Sequence, residues 1–81
     1  MIERDGYVAV KYFQPIDNRV QVSGGFYVFS VRRNVSMAWV LKHHVQEVLN
    51  YTKRCCGGSL NHPYRLANDS DVRIWENTAE R

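Results

Sequence analysis

The side chains that could hold a metal ion are concentrated in the second half of this 81-residue chain. Imidazole and thiolate are the groups that zinc prefers, so the candidate ligands are His43, Cys55, Cys56 and His62. Structural zinc sites usually take their ligands in pairs about two to four residues apart. The two cysteines here are adjacent, and their side chains point in different directions. We therefore predict no metal site and no cofactor.

The same cysteines are the candidate nucleophiles. They follow a predicted helix, whose negative end disfavours a thiolate, and although His62 could act as a base, no third group to orient it can be identified. Asp69 and Asp71 resemble an acid/base pair by type, but they precede the apolar run VRIW and fit the first turn of a helix better. We predict that the protein is not an enzyme.

Cysteine usage and the chain start bear on the compartment. Adjacent cysteines pair poorly, so no disulfide framework is expected, which fits a reducing cytosol. The start MIERDGY resembles no signal peptide, and no apolar run is long enough to span a bilayer. We expect a soluble cytoplasmic protein without membrane contact, organised as a single domain over residues 1–81 with a frayed tail at 78–81.

A central helix is predicted after residue 40. The side chains of Leu41, Val45, Val48, Leu49 and Thr52, four of them apolar, recur at the spacing of one helical face. Lys53 and Arg54 would lie in its last turn, and Gly57 or Gly58 would end it. Since this helix is apolar on one side, it must pack against a sheet.

Alternating apolar residues predict strands over residues 6–13, 19–23, 26–31, 35–40 and 64–67. The first two strands are predicted to pair as a hairpin, and the next two as a second hairpin in which Asn34 takes a positive φ. Gly24 and Gly25 are expected to bend the sheet. Residues 37–40 also suit a longer helix capped by Ser36, but the alternation favours a strand.

A final helix is predicted from the acidic segment at 68–71 through Asn77, with Val72 and Trp75 as its buried edge. The elements together predict an α+β fold. It consists of a bent antiparallel sheet or partial barrel of four to five strands, with one central helix and a short C-terminal helix.

The predicted function is non-enzymatic protein binding or assembly. A chain of this size buries only roughly 60 to 65% of its unfolded surface, so a partner or self-association would stabilise it. Ten aromatic residues are many for 81, and some are expected on an exposed sheet face. The predicted partner-binding residues are Tyr7, Phe13, Phe26, Tyr27, Arg32 and Arg33.

Nucleic-acid binding is the alternative. The net charge is +3, the isoelectric point is near 9.1, and basic residues interleave with Tyr7, Tyr12 and Phe26, as on sheets that grip a nucleic-acid strand. The basic residues are Lys11, Arg19, Arg32, Arg33, Lys42, Lys53 and Arg54. They are dispersed along the chain, so protein binding remains the leading prediction.

Four segments in order, AWV, HHVQEVLNY, CCGG and YRLANDSDVRIWE, lie between Ala38 and Glu76. In this region the chain resembles short uncharacterised proteins encoded by tailed bacteriophages. The resemblance implies a phage-encoded product of a bacterial cytoplasm, either a virion component or a factor acting on the host. It implies no catalytic residues.

Overall fold

The computed structural model describes residues 1–51, 53–54, 60–61 and 63–77. Outside these ranges lie the predictions for Thr52, Cys55, Cys56, Gly57, Gly58, His62 and residues 78–81. The elements are β1 (Glu3–Arg4), β2 (Tyr7–Tyr12), β3 (Asn18–Val22), β4 (Gly25–Arg32), β5 (Val35–Leu41), a 3₁₀ turn (Lys42–His44), α1 (Val45–Leu49), β6 (Lys53–Arg54), β7 (Leu60–Asn61), β8 (Tyr64–Leu66) and α2 (Asp69–Asn77).

The predicted α+β class is confirmed. Six antiparallel strands form an open sheet in the order β1-β2-β5-β4-β3, and β8 pairs with β2 on the edge that β1 also uses. Ala9 lies where β2 passes from one partner to the other, since its amide donates to Ile2 and its carbonyl accepts from Ala67, both at 3.0 Å. Strands β6 and β7 form a separate pair.

The two helices cover opposite faces of this sheet. On the α1 face the core residues are Val10, Tyr12, Val20, Val22, Phe29, Ala38, Val40, Val48 and Tyr64. On the α2 face they are Ala9, Val35, Met37, Ala67, Val72 and Trp75. Strands β2 and β5 lie inside the sheet, where both of their faces are covered. This position suits their continuous apolar runs.

The predicted hairpin between the first two long strands is wrong, because β5 and β4 lie between β2 and β3. The connection instead crosses the ends of those two strands. Ser36 Oγ donates to the Ile16 carbonyl at 2.8 Å, and the Val31 amide donates to Asp17 Oδ1 at 3.2 Å. Pairing β2 with β5 is favoured because it buries apolar side chains on both faces of each strand.

The turns explain the remaining hairpins. The predicted hairpin of β4 and β5 is confirmed, with Arg33 at φ 52° and Asn34 at φ 66°. The glycine pair lies at a turn, since Gly24, at φ 86°, closes the hairpin of β3 and β4, and Gly25 begins β4. Strand β1 was not predicted, although Asp5 and Gly6, both at positive φ, are a typical tight-turn pair.

Residues 37–40 are a strand, as favoured, but the central helix is shorter than predicted. Leu41 remains in β5 opposite Tyr7, so it does not begin the helix. The chain leaves α1 through Tyr51, whose amide donates to Val48 and whose ring lies 5.8 Å from that of Tyr64. Lys53–Arg54 form β6 rather than a last helical turn.

Helix α2 matches its prediction. Asn68 Oδ1 accepts from the Asp71 amide at 2.8 Å, and Asp71 Oδ2 accepts from the Asn68 amide at 3.3 Å. This reciprocal pair satisfies two amides that a helix start would otherwise leave free. Neither α1 nor α2 nor any other helix within the described ranges has the length and apolar character needed to cross a bilayer.

Replacing Phe29 by Ala tests the packing of β4. Its ring is fully buried and lies 4.9 Å from that of Tyr64, so the variant should lose about 3 to 5 kcal/mol of unfolding free energy. Phe26→Ala on the same strand is the matched control, since that ring is 56% exposed, and its cost should stay within about 0.5 kcal/mol. Urea denaturation measures both, and equal losses would contradict the assignment of faces.

Candidate functional site

The outer face of β4, on the α2 side of the sheet, changes from covered to exposed along the strand. Trp75 covers its C-terminal half, since the indole Nε1 donates to the Ser30 carbonyl at 3.0 Å and the Arg32 guanidinium lies 3.9 Å from the indole ring. The next two outward residues, Val28 and Phe26, are 57% and 56% exposed. The cover provided by α2 therefore ends at Ser30.

Strand β3 continues this exposed face. Arg19 lies opposite Val28 and Gln21 opposite Phe26 in the antiparallel ladder, so their side chains share the outward face. The Arg19 guanidinium carbon lies 5.2 Å from the centre of the Phe26 ring, within the range of a cation–π interaction. We name these four residues, Arg19, Gln21, Phe26 and Val28, the hairpin patch.

The patch is exposed because β4 changes pairing partners. Residues 25–29 of β4 pair with β3, whereas the ladder with β5 begins at Ser30 and Met37. Tyr27 occupies the space between the separated strands. Its hydroxyl accepts from the Leu41 amide at 3.2 Å and shares a hydrogen bond of 2.7 Å with His44 Nδ1. The side chain thus satisfies a strand amide that β4 no longer reaches.

A cleft lies beside Tyr27. It has a volume of about 210 Å³, and its lining includes Phe26, Leu41 and His44. Because Phe26 belongs to both the cleft and the hairpin patch, a partner covering the patch would have a small recess next to it.

The inner face of the hairpin fixes the patch in place. Val20 and Val22 pack in the core with Val48 of α1, and the Ser23 amide donates to Glu47 Oε2 at 3.1 Å. These contacts hold the tip of the hairpin against α1. The patch is therefore presented on a packed support, which lowers the entropy cost of binding.

Asn18 anchors the other end of β3, where its side-chain amide donates to the Tyr64 hydroxyl. Burial, together with the nearby Tyr12 and Tyr51, raises the pKa of Tyr64 well above its ordinary value. The phenol consequently stays neutral throughout the physiological range, and this anchor does not depend on pH there.

The six predicted partner-binding residues do not form one surface. Tyr7, Phe13 and Phe26 are exposed by 41%, 46% and 56%, but Phe13 lies past the end of β2, beside Lys11 and Arg65. Tyr27 faces inward, Arg32 packs on Trp75, and Arg33 is exposed at the turn between β4 and β5. Of the six, Phe26 belongs to the hairpin patch.

Sequence reasoning did not select Val28 and Gln21, and it assigned Arg19 only to the basic set. The β-rich composition of β4 was visible, but which of its two faces would be covered depended on the position of α2. A strand with apolar residues at every position, such as Phe26 to Phe29, carries no signal that distinguishes its faces.

The candidate metal ligands are only partly within the described residues. His43 is exposed, and its ring lies 4.3 Å from that of His44, while Cys55, Cys56 and His62 lie outside the described part. Within the described ranges, no group of three or more His, Cys, Asp or Glu side chains could hold a metal ion.

Three basic residues of the alternative prediction are engaged. Lys11 Nζ lies 3.3 Å from Asp71, Lys42 Nζ lies 3.5 Å from Glu3, and Arg32 packs on Trp75. Tyr12 is only 5% exposed, so it cannot stack on a base. Of the other two basic residues of this set whose side chains the structure describes, Arg19 and Arg33, both are exposed, and Arg19 has an aromatic neighbour in Phe26.

Replacing Tyr27 by Phe removes the hydroxyl that serves the Leu41 amide and His44. We expect a loss of about 1 to 2 kcal/mol in unfolding free energy, because a strand amide would lose its acceptor. Tyr7→Phe, at a tyrosine that is 41% exposed, is the control and should be close to neutral. Urea denaturation of the two variants gives the comparison, and equal stabilities would refute the role assigned to Tyr27.

No family model, no curated protein and no solved structure matches this chain.

Proposed function

We propose that the protein is a non-enzymatic protein-binding or assembly module that binds through the hairpin patch. The observation that carries the proposal is the exposure of Phe26 and Val28 on a strand whose next two outward residues are covered by Trp75. Burying a Phe or Val side chain fully contributes about 1.5 to 3 kcal/mol. Phe26 with Arg19 across it also combines two residue types that are common at the centres of protein interfaces.

The chemistry of the described side chains supports a non-enzymatic role. A cleft of about 460 Å³ includes Lys11, Phe13 and Asp71 in its lining, but Asp71 already pairs with Lys11 and caps α2. His44 is engaged by Tyr27. Each of these described groups therefore has a structural partner, whereas Phe26 and Val28 remain more than half exposed.

A more specific proposal concerns the biological setting. The resemblance of the segment from Ala38 to Glu76 to short proteins of tailed bacteriophages supports a small phage-encoded subunit. Such a subunit would be built into the virion or would act as an accessory factor in the bacterial cytoplasm.

Nucleic-acid binding is the second candidate, and one observation favours it. Arg19 over the exposed Phe26 ring is the kind of platform on which an unpaired base stacks. The engagement of Lys11 and Lys42 with carboxylates leaves fewer cations to neutralise phosphates.

The protein-binding proposal predicts that Phe26→Ser with Val28→Ser abolishes association. The purified protein should self-associate in light scattering or retain a protein from a bacterial lysate, because the patch gains free energy when it leaves water. The control is Phe13→Ser with Ile16→Ser, at residues that are 46% and 49% exposed, and it should behave as the unmodified protein. A monomer that retains nothing, or equal losses in both double variants, would refute the proposal.

The nucleic-acid candidate predicts a measurable affinity for labelled single-stranded DNA or RNA at low salt, read by fluorescence anisotropy. If phosphates are neutralised, the affinity should fall steeply with added salt. Replacing Phe26 by Ala should weaken it by about 1 to 3 kcal/mol through lost stacking. An anisotropy that does not change at low salt would eliminate this candidate.

A further inference from the structure

Strand β3 is the longest strand at an edge of the sheet. It has five residues and pairs with β4 on one side, and no strand in the described part of the chain pairs with its other side. At the opposite edge of the sheet, β1 has two residues and β8 has three. Because short edge strands protect a sheet from further pairing and long ones invite it, β3 is the edge best suited to receive another strand.

The ladder identifies the groups that face outward from β3. The hairpin turns through two residues, Ser23 and Gly24, so the flanking Val22 and Gly25 form a hydrogen-bonded pair. Hydrogen-bonded pairs alternate along antiparallel strands, which makes Val20 opposite Tyr27 the next such pair. The amides and carbonyls of Arg19 and Gln21 therefore point away from β4.

The charge of this region favours an acidic partner. Residues 18–46 contain no Asp or Glu, but they contain Arg19, Arg32, Arg33 and Lys42. The two carboxylates that flank this stretch, Asp17 and Glu47, accept from the Val31 and Ser23 amides. Arg32 packs on Trp75 and Lys42 pairs with Glu3, whereas Arg19 has no carboxylate partner among the described residues. Arg19 lies on the edge strand itself, so an acidic side chain on an added strand would reach it.

We propose that β3 accepts an extended acidic segment of another protein as an additional strand. Its backbone would pair with Arg19 and Gln21, and one of its carboxylates would lie beside the Arg19 guanidinium. The proposal rests on the protein-binding function and specifies the partner and the mode of binding. A second copy is less suitable than an acidic segment, because it would bring another Arg19 to an edge of the same charge.

A random twelve-residue peptide display library, panned against the purified protein, tests the proposal. Enriched peptides should be acidic, and Gln21→Pro should weaken their binding about tenfold or more, because proline removes the outward amide. Gln21→Ala removes the same side chain from the hairpin patch but keeps the amide, so it is the matched comparison against which the tenfold loss is measured. The absence of enriched peptides, enriched peptides without acidic residues, or equal binding by Gln21→Pro would overturn the proposal.

Charge reversal tests it independently of proline and of any effect of Gln21→Pro on folding. Arg19→Glu should weaken binding of the acidic peptides about fivefold, whereas Arg33→Glu makes the same charge change at the turn between β4 and β5 and should have little effect. Equal effects would overturn the proposal. So would light scattering that shows a dimer of the unmodified protein and a monomer of Gln21→Pro, since the edge would then bind a second copy.

The two proposals can fail separately. Peptides that require Phe26 and Val28 but bind Gln21→Pro normally would support the hairpin patch as a protein-binding surface and refute strand addition. Single-stranded RNA that binds the unmodified protein but not Arg19→Glu, with no acidic peptide enriched, would refute both.

Discussion

The separation of β4 from β5 beyond Ser30 determines which surface this protein presents. Up to that residue β4 is a sheet strand with a partner on β5, and beyond it β4 belongs to a hairpin that projects from the sheet. Tyr27 offsets part of the energetic cost of this separation. Its hydroxyl accepts a hydrogen bond from the Leu41 amide, which lies in the gap between β4 and β5. On the opposite face, the Trp75 indole donates a hydrogen bond to the carbonyl of Ser30, the residue at which β4 and β5 separate.

This arrangement accounts for where apolar surface is buried and where it is not. The sequence led us to expect a sheet covered by one helix and bare on its other side. In the structure α1 and α2 cover opposite faces, and Trp75 and Val72 fill the space over Met37 and Ala9. Exposed apolar side chains on the α2 face of β4 are consequently confined to the hairpin, beyond the reach of α2.

Much of the fold could be predicted from local patterns, and the errors have a common cause. Strands β2, β4, β5 and β8 and helix α2 follow from alternation, turn residues and capping. The pairing of β2 with β3 was inferred from the short connection between them. The pairing that forms, of β2 with β5, is decided by burial between residues far apart in the chain. The central helix was overextended because Leu41 continues a helical spacing while it is held in β5 opposite Tyr7.

The surface that we propose for binding was less predictable than the fold. Phe26 was selected correctly as an exposed aromatic residue, and neighbouring Tyr27 was selected with it, although alternation places adjacent residues on opposite faces. Arg32 looked like a free cation in the sequence, and its position against Trp75 depends on the packing of α2. Val28 could be identified only once the end of that helical cover was known.

Backbone amide hydrogen exchange, followed by NMR on the isolated protein, tests the change of partners along β4 most directly. The amides of Phe26, Val28, Ser30 and Arg32 all point from β4 toward the side of β5, since hydrogen-bonded pairs alternate along the ladder. Slow exchange at Ser30 and Arg32 with fast exchange at Phe26 and Val28 is the predicted result. Equally slow exchange at all four amides would mean that β4 pairs with β5 along its whole length, and the projecting hairpin would not exist.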